Sequence, residues 1–368
     1  MDRDIARAID GHGGGAYAPS SVIEIGGEGL EVSSTLDVTG TLENSRLDAL
    51  SIHNWNSVFT VTDCERALLW VPAGSQWGGS PVWHTYGTDS GNPVGMVLID
   101  GIGSHDSMDL GAGDGLTPTC AASNEDGSVI LVGGTPGSGS TKKIRRSTDR
   151  GETWTIEDTV ASGTTEVSSL AYVPLLSLWV AGLSNGNIET SPDGETWTNQ
   201  TVPNSDRRHS LAVSDDEILA FTNASTDKAL RSTNGTAWSE VTMPASGTWA
   251  HGAWNAARGK FMACDTTADT FATSATGATW TPAAGTLTAA TIVRGIAAFN
   301  KAWLIITGSG GSGGQAGLLY SADDGASWRV AHNHVADGVR EGALGVGNRQ
   351  IMFKDQSAGH YVSFRSAL

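Results

Sequence analysis

Cysteine is scarce in this 368-residue chain. Cys64, Cys120 and Cys264 are its three copies, odd in number and far apart. That pattern excludes a disulfide framework and a cysteine-based zinc site, and leaves small buried or half-buried thiols. Long apolar runs are missing too, and nothing approaches the roughly 18 residues that span a bilayer. The opening Met1–Ala8 is charged and has no apolar core, so no secretory signal is expected and synthesis is placed in the cytoplasm. The Asn-x-Ser/Thr triplets at Asn199, Asn223 and Asn234 therefore carry no weight as glycosylation sites. Basic residues are few, 22 against 39 acidic, for a net charge of −17. Such a surface repels phosphate backbones and excludes nucleic acid as the expected partner. Lys142, Lys143, Arg145 and Arg146 are the one basic concentration, read here as the solvated edge of a hairpin.

Glycine, by contrast, is abundant at 48 residues, which favours many short strands joined by tight turns. Five segments repeat one pattern: Ser147-Thr-Asp-Arg-Gly-Glu-Thr-Trp154, Ser191-Pro-Asp-Gly-Glu-Thr-Trp197, Ser232-Thr-Asn-Gly-Thr-Ala-Trp238, Ser274-Ala-Thr-Gly-Ala-Thr-Trp280 and Ser321-Ala-Asp-Asp-Gly-Ala-Ser-Trp328. Successive tryptophans are 43, 41, 42 and 48 positions apart, about the length of a four-stranded propeller blade. Ser and Asp oxygens accept backbone N–H bonds and close a turn, Gly supplies the turn's unusual backbone, and Trp buries a large ring between blades. Asn234 partly replaces the aspartate; Thr276 does so less well, which weakens the fourth copy.

These segments resemble the Asp-box, or BNR, repeat of sialidases, sortilin-type receptors and photosystem assembly factors, over residues 115 to 335. The resemblance implies an all-β β-propeller with each box on the hairpin between the third and fourth strands of a blade. It assigns structural roles to Asp149, Trp154, Asp193, Trp197, Trp238, Trp280, Asp323 and Trp328. Residues 47–368 then form the propeller. Seven blades are expected, with six as the alternative count. Residues 55 to 110 make a divergent first blade. The last blade, from Val339, shows three strand signals and takes its fourth strand from Leu47 to His53, which closes the ring. Residues 1–46 do not fit the repeat. Helical turns over Asp2–Ile9, then short strands at Val22–Ile25, Leu30–Val32 and Leu36–Val38, form an N-terminal arm for attachment or oligomerisation. In composition the arm resembles the tethering segments of phage tail and fibre proteins.

A second register precedes each box: Thr119-Cys-Ala-Ala, Ser168-Ser-Leu-Ala, His209-Ser-Leu-Ala, His251-Gly-Ala-Trp, Arg294-Gly-Ile-Ala and Glu341-Gly-Ala-Leu, with Asn56-Ser-Val-Phe in the first blade. In three consecutive blades it lies 29 residues before the box Trp. Read as inner strands, these segments set Asn56, Thr119, Ser168, His209, His251, Arg294 and Glu341 around one end of the central channel. The candidate ligand-binding ring is His209, His251, Arg294 and Glu341, with Trp249 as a stacking face; its bland counterpart is a solvated channel rim.

The resemblance does not extend to sialidase chemistry: the Arg-Ile-Pro segment is absent, and none of the five tyrosines has an acidic partner beside Arg294. Gly310-Gly-Ser-Gly-Gly314 matches a nucleophile-elbow pattern without a following helix. His332 with His334, and Asp106 with Asp109 and Asp114, fit no metal-ligand spacing, so neither metal nor cofactor is expected. The expected function is a non-catalytic structural or interaction module of a larger assembly, such as a phage tail or particle appendage. It would be present in multiple copies or as a homo-oligomer, and would contact protein partners through residues 1–46 and a surface or glycan through the propeller. A carbohydrate-active enzyme using the channel mouth is the alternative.

Overall fold

Four of the five box turns share one construction. In four copies the Ser hydroxyl accepts the N–H of the box glycine, at 2.7 Å for Ser147, 2.8 Å for Ser191, 2.9 Å for Ser232 and 2.9 Å for Ser321. The same hydroxyl donates to the Asp or Asn two residues on, whose Oδ1 accepts the N–H just before the tryptophan. The two eight-residue boxes fit one extra residue into the turn by placing it in the left-handed region, Arg150 at φ 63° and Asp324 at φ 57°. The fourth copy lacks this arrangement. The Thr276 hydroxyl accepts only a long 3.4 Å bond from the Ala278 N–H, and the buried Ser274 hydroxyl has no partner. Thr276→Asp would give that hydroxyl an acceptor and restore the turn, and is expected to stabilise the fold by about 1 kcal/mol. A thermal melt of the variant checks this; no gain would show that the turn is not limited by the missing carboxylate.

The computed structural model describes residues 67–72, 81–89, 91–99, 107–111, 115–138, 142–158, 165–206, 208–266, 270–285, 287, 291–309, 316–334, 344–347, 350–355 and 360–365, together with five short strands before residue 56. Two compact units are present. The smaller comprises Met1–Ser51 and Arg365–Leu368 and contains two antiparallel pairs, Ala16–Tyr17 with Val38–Thr39 and Ile23–Gly26 with Gly29–Val32. The helical turns expected over Asp2–Ile9 lie outside the described residues.

The larger unit, Ile52–Phe364, is an all-β propeller. Six blades, not seven, are built from consecutive strands in unbroken chain order: blade one over 67–109, two over 117–158, three over 167–200, four over 208–247, five over 249–282 and six over 291–334. One further four-stranded sheet is composite. It takes Leu344–Gly347, Gln350–Asp355 and His360–Arg365 from the C-terminal side and Ser51–Trp55 from before blade one. The first strand of this composite sheet lies against the inner strands of both blade six and blade one. A Cβ on Gly345 would fall 2.5 Å from the Trp83 ring and one on Gly347 2.4 Å from Trp70, so glycine is what allows that approach. Each end of the chain thus supplies an edge that the other covers. The inner strand of blade one is Ala67–Val71, not a segment starting at Asn56, and Asn56 lies outside the described residues.

Each box tryptophan packs on the preceding blade. Trp154 meets Tyr86 edge-on at 5.8 Å between ring centres, Trp280 meets Phe221 at 5.9 Å, and Trp328 meets Phe271 at 4.5 Å. Trp197 joins Leu131 and Ile144, and Trp238 joins Val180 and Ile188. The indole N–H of Trp154, Trp238 and Trp280 caps the box glycine carbonyl at 3.0 Å, whereas Trp197 and Trp328 leave theirs without an acceptor. Large rings placed between blades join the aliphatic residues of the core in holding neighbouring sheets together.

The solvated-edge reading of the basic run is overturned. Lys143 and Arg145 are fully buried in the third strand of blade two, where Arg145 Nε donates to the Leu110 carbonyl at 2.7 Å and Lys143 approaches Asp158 at 3.4 Å. Arg146, on the opposite face, reaches the next blade and donates to the Asp193 carbonyl at 2.9 Å. Third strands are interior to their sheets, so alternate positions must face a neighbouring blade, and long cations there reach carbonyls that would otherwise lack donors. The thiols behave as expected where they are described. Cys264 is buried and Cys120 half-buried, with burial pushing the Cys120 thiol up to about 12; Cys64 lies outside the described residues.

Candidate functional site

The inner strands of blades two to six carry the same irregularity, a β-bulge that leaves one residue unpaired. The bulged residues are Thr119, Ser168, His209, Ala250 and Arg294. Bulges are where a ladder re-aims a side chain, and these five stand at one level around the axis. Four of the five were named by sequence alignment. In blade five the alignment was one residue out: Ala250 holds the bulge, and His251 takes the place of Cys120, Ser169, Ser210 and Gly295 in the other blades. The error came from the constant spacing to the box. Blade five has a first hairpin as long as that of blade three, Ser169 pairing with Gly182 and His251 with Cys264. Its second hairpin is one residue longer, since Ser274 pairs with Phe261 whereas Ser191 pairs with Trp179. Equal spacing therefore did not mean equal register.

The position before the bulge is buried in all five blades: Pro118, Val167, Arg208, Trp249 and Val293. This corrects the role expected for Trp249. It is 2% exposed, belongs to the core cluster of Phe221, Phe261 and Trp280, and donates its indole N–H to Ala245 O at 2.9 Å, so it has no open face for a ligand. Trp254 likewise packs on Phe261, with ring centres 4.6 Å apart. His251 is buried. His209 sits on the bulge of blade four, with its side chain outside the described residues, as is Glu341 in full.

Three hydroxyls at or next to the bulge are already engaged, while that of Ser169 is buried without a partner. Thr119 Oγ1 donates to the Val167 carbonyl of blade three at 2.8 Å, Ser168 Oγ to the Arg208 carbonyl of blade four, and Ser210 Oγ to the Ala250 carbonyl of blade five at 2.8 Å. Each bond joins an inner strand to the next one, forming a belt. Beneath it Arg208, a residue not named from sequence, is tied down by bonds to Gly186 O at 3.0 Å, Asn204 O at 2.5 Å and Asn204 Oδ1 at 2.8 Å. Burial lowers its pKa to about 10, with the charges of Asp206 and Glu240 opposing, so it remains a cation at neutral pH. Arg294 differs from Thr119 and Ser168, its counterparts on the bulges of blades two and three. Its Nε is buried without a hydrogen-bond partner.

Among the described residues no group of three or more His, Cys, Asp or Glu converges as a metal site. Asp109, the one described member of the acidic loop, accepts the Gly111 N–H at 2.9 Å in its own turn. His332 and His334 lie on the outer strand of blade six, their side chains outside the described residues.

No protein-family model matches the chain, and no curated protein matches it. Solved structures do. A catalytically inactive virginiamycin B lyase from Staphylococcus aureus, in complex with quinupristin, superposes over 86% of this chain and 99% of its own with a TM-score of 0.67 at 11% identity. YCF48 bound to D1 peptide covers 86% of this chain and 95% of its own, with a TM-score of 0.58 at 14% identity. The GH74 xyloglucanase from Xanthomonas campestris covers 85% of this chain but 53% of its own, with a TM-score of 0.60 at 15% identity. These neighbours include enzymes and a peptide-binding protein. At such identities they share architecture with this chain and nothing finer, and the chain is an all-β β-propeller.

Proposed function

We propose that this chain is a non-catalytic propeller serving as a structural or interaction module of a larger assembly, attached through residues 1–46. In this reading the composite sheet is the blade that closes the ring, and the box turns belong to the Asp-box type. The observation that carries the proposal is the hydroxyl belt. Thr119, Ser168 and Ser210 spend their donors on the next blade's carbonyls, and Arg208 is held below them by Gly186 and Asn204. Polar groups used this way make a rigid ring, suited to presenting a rim to a partner rather than to moving protons. A solved neighbour named as bound to a peptide supports the same use of the fold. The specific setting we favour is a phage tail or related particle appendage, made in the cytoplasm and incorporated in several copies; the arm's composition supports it.

The test is the molar mass in solution of the full chain and of a version starting at Leu47, which keeps the closing strand Ser51–Trp55. A higher-order full chain with a folded monomeric truncation is the expected result. A monomer in both cases, or turnover of a polysaccharide by the full chain, would overturn the proposal.

A further inference from the structure

Arg294 is the anomaly of the inner ring. It occupies the bulge of the inner strand of blade six, between Val293, paired with Thr307, and Gly295, paired with Ile306. The residue is half-buried, and its Nε is sealed from solvent with no acceptor. Its two Nη groups, in contrast, are not among the buried atoms lacking a partner, and they enter no hydrogen bond or ion pair among the described residues, so they remain open to solvent. A guanidinium stripped of water on one side and given no acceptor is an unfavourable arrangement, unless something outside the chain completes it. The contrast with Arg208, one residue before the bulge of blade four and held through Nε and Nη2 by three bonds, shows that this fold gives an inner-strand arginine's Nε an acceptor when the arginine is structural.

The chemistry of the missing group follows from what surrounds it. A guanidinium fork matches a planar acceptor with two oxygens. A phosphate would need further donors, and Thr119, Ser168 and Ser210 have already given theirs to carbonyls. The net charge of −17 also disfavours a polyanion. A single carboxylate fits. For its carrier, a sugar acid would call for an open aromatic face, yet Trp249 is enclosed in the core and Trp254 lies on Phe261. A peptide finds a better match. The inner strand of blade six ends its sheet, so one edge of that strand carries backbone donors and acceptors that no ladder partner takes up among the described strands.

We propose that Arg294 anchors an acidic side chain of a partner peptide laid along the inner edge of blade six. This rests on the interaction-module reading and names the chemistry of its contact. The test uses the full chain labelled with 15N-arginine, with the Arg294 Nε–Hε signal assigned by its loss in Arg294→Lys. N-acetyl-Ala-Glu-Ala-amide is titrated in, with N-acetyl-Ala-Gln-Ala-amide, sodium acetate and sodium glucuronate as the other arms. The expected result is a saturable shift of the Arg294 signal with the Glu peptide, at least tenfold weaker binding of the Gln peptide and of acetate, and at least tenfold weaker Glu-peptide binding to Arg294→Lys at unchanged melting temperature. No shift, or equal response to Glu and Gln peptides, overturns the carboxylate. Acetate saturating as tightly as the peptide overturns the peptide, and so does tighter binding of glucuronate. An oligomeric full chain with a silent Arg294 overturns this anchor and leaves the module reading standing; a monomeric chain with a shifting Arg294 does the reverse.

Discussion

Arg208→Met is expected to cost about 4 kcal/mol of folding stability, while Arg294→Met costs nothing or stabilises by about 1 kcal/mol. Both arginines lie on inner strands, Arg208 just before the bulge of blade four and Arg294 on the bulge of blade six. Arg208 is 1% exposed and holds the carbonyls of Gly186 and Asn204. Methionine fills its volume but donates nothing, leaving the buried Gly186 carbonyl and the half-buried Asn204 carbonyl unpaired. Three bonds from a charged donor are lost; the two to backbone carbonyls are worth about 1.5–3 kcal/mol each, and the Asn204 side chain can turn to solvent. The cavity wall is also tight: a Cβ on Gly182 would fall 2.7 Å from Arg208 Cβ, so the surroundings cannot be repacked freely. Arg294 has no bond to lose. Replacing it removes a partly desolvated cation and keeps its apolar contacts. Urea denaturation of both variants reads the difference. Comparable losses would mean that Arg294 supports the fold through contacts of its own, and the ligand argument would lose its premise.

Asp324→Asn is expected to destabilise by about 2 kcal/mol at neutral pH, with the loss fading in acid. Asp324 bolts blade six to blade five. Its Oδ1 accepts Arg258 Nη1 at 3.0 Å and Trp303 Nε1 at 3.2 Å, and its Oδ2 accepts Lys260 Nζ at 2.6 Å. Lys260 is 40% exposed, so solvent screens that contact and the weight falls on Arg258 and Trp303. Asparagine keeps the shape and tolerates the left-handed φ of 57°, so the substitution isolates the charge. Burial raises the carboxyl's pKa, but hydrogen bonds from Lys260 and Trp303 and the charges of Arg258 and Lys260 outweigh it, and the net shift is downward. A folded pKa below the unfolded value of about 3.9 means the stabilisation is fully present above that value. It is lost as pH falls through the lower, folded pKa. The box aspartates Asp149, Asp193 and Asp323 shift the same way and add to the acid sensitivity of the whole ring. Melting temperatures of wild type and variant should differ at pH 7 and converge near pH 2. A gap that persists in acid would show that the variant is destabilised by geometry rather than charge.

The fold was legible in the sequence to the extent that it rests on local turns. Ser, Asp, Gly and Trp at fixed offsets are sufficient to close the box hairpin and to seat one ring against the preceding blade, because every bond in that turn spans at most four residues. The weakness of the fourth copy was visible for the same reason: Thr276 cannot do what a carboxylate does, and the buried Ser274 hydroxyl is left alone. The closing strand was also within reach. Three strand signals at the end call for a fourth, and the strand at Ser51–Trp55 falls within a few residues of the segment expected.

What escaped the sequence depends on contacts between residues far apart. The bulge in blade five sits on Ala250 rather than His251, because hairpin lengths trade off within a blade and only strand pairing fixes the register. Lys143 and Arg145 look like a solvated edge until a third strand is seen enclosed by neighbouring blades, where burial with carbonyl and carboxylate partners outweighs their charge. Trp249, flanking a histidine, looks like a platform until five blades show that its position always faces the core. Composition and turn chemistry alone determined that this chain builds four-stranded repeats. The tertiary structure decided which of its polar residues hold the ring together, and that Arg294 is left without a partner, because desolvation and pairing are set by neighbours that the chain brings together only when the ring is formed.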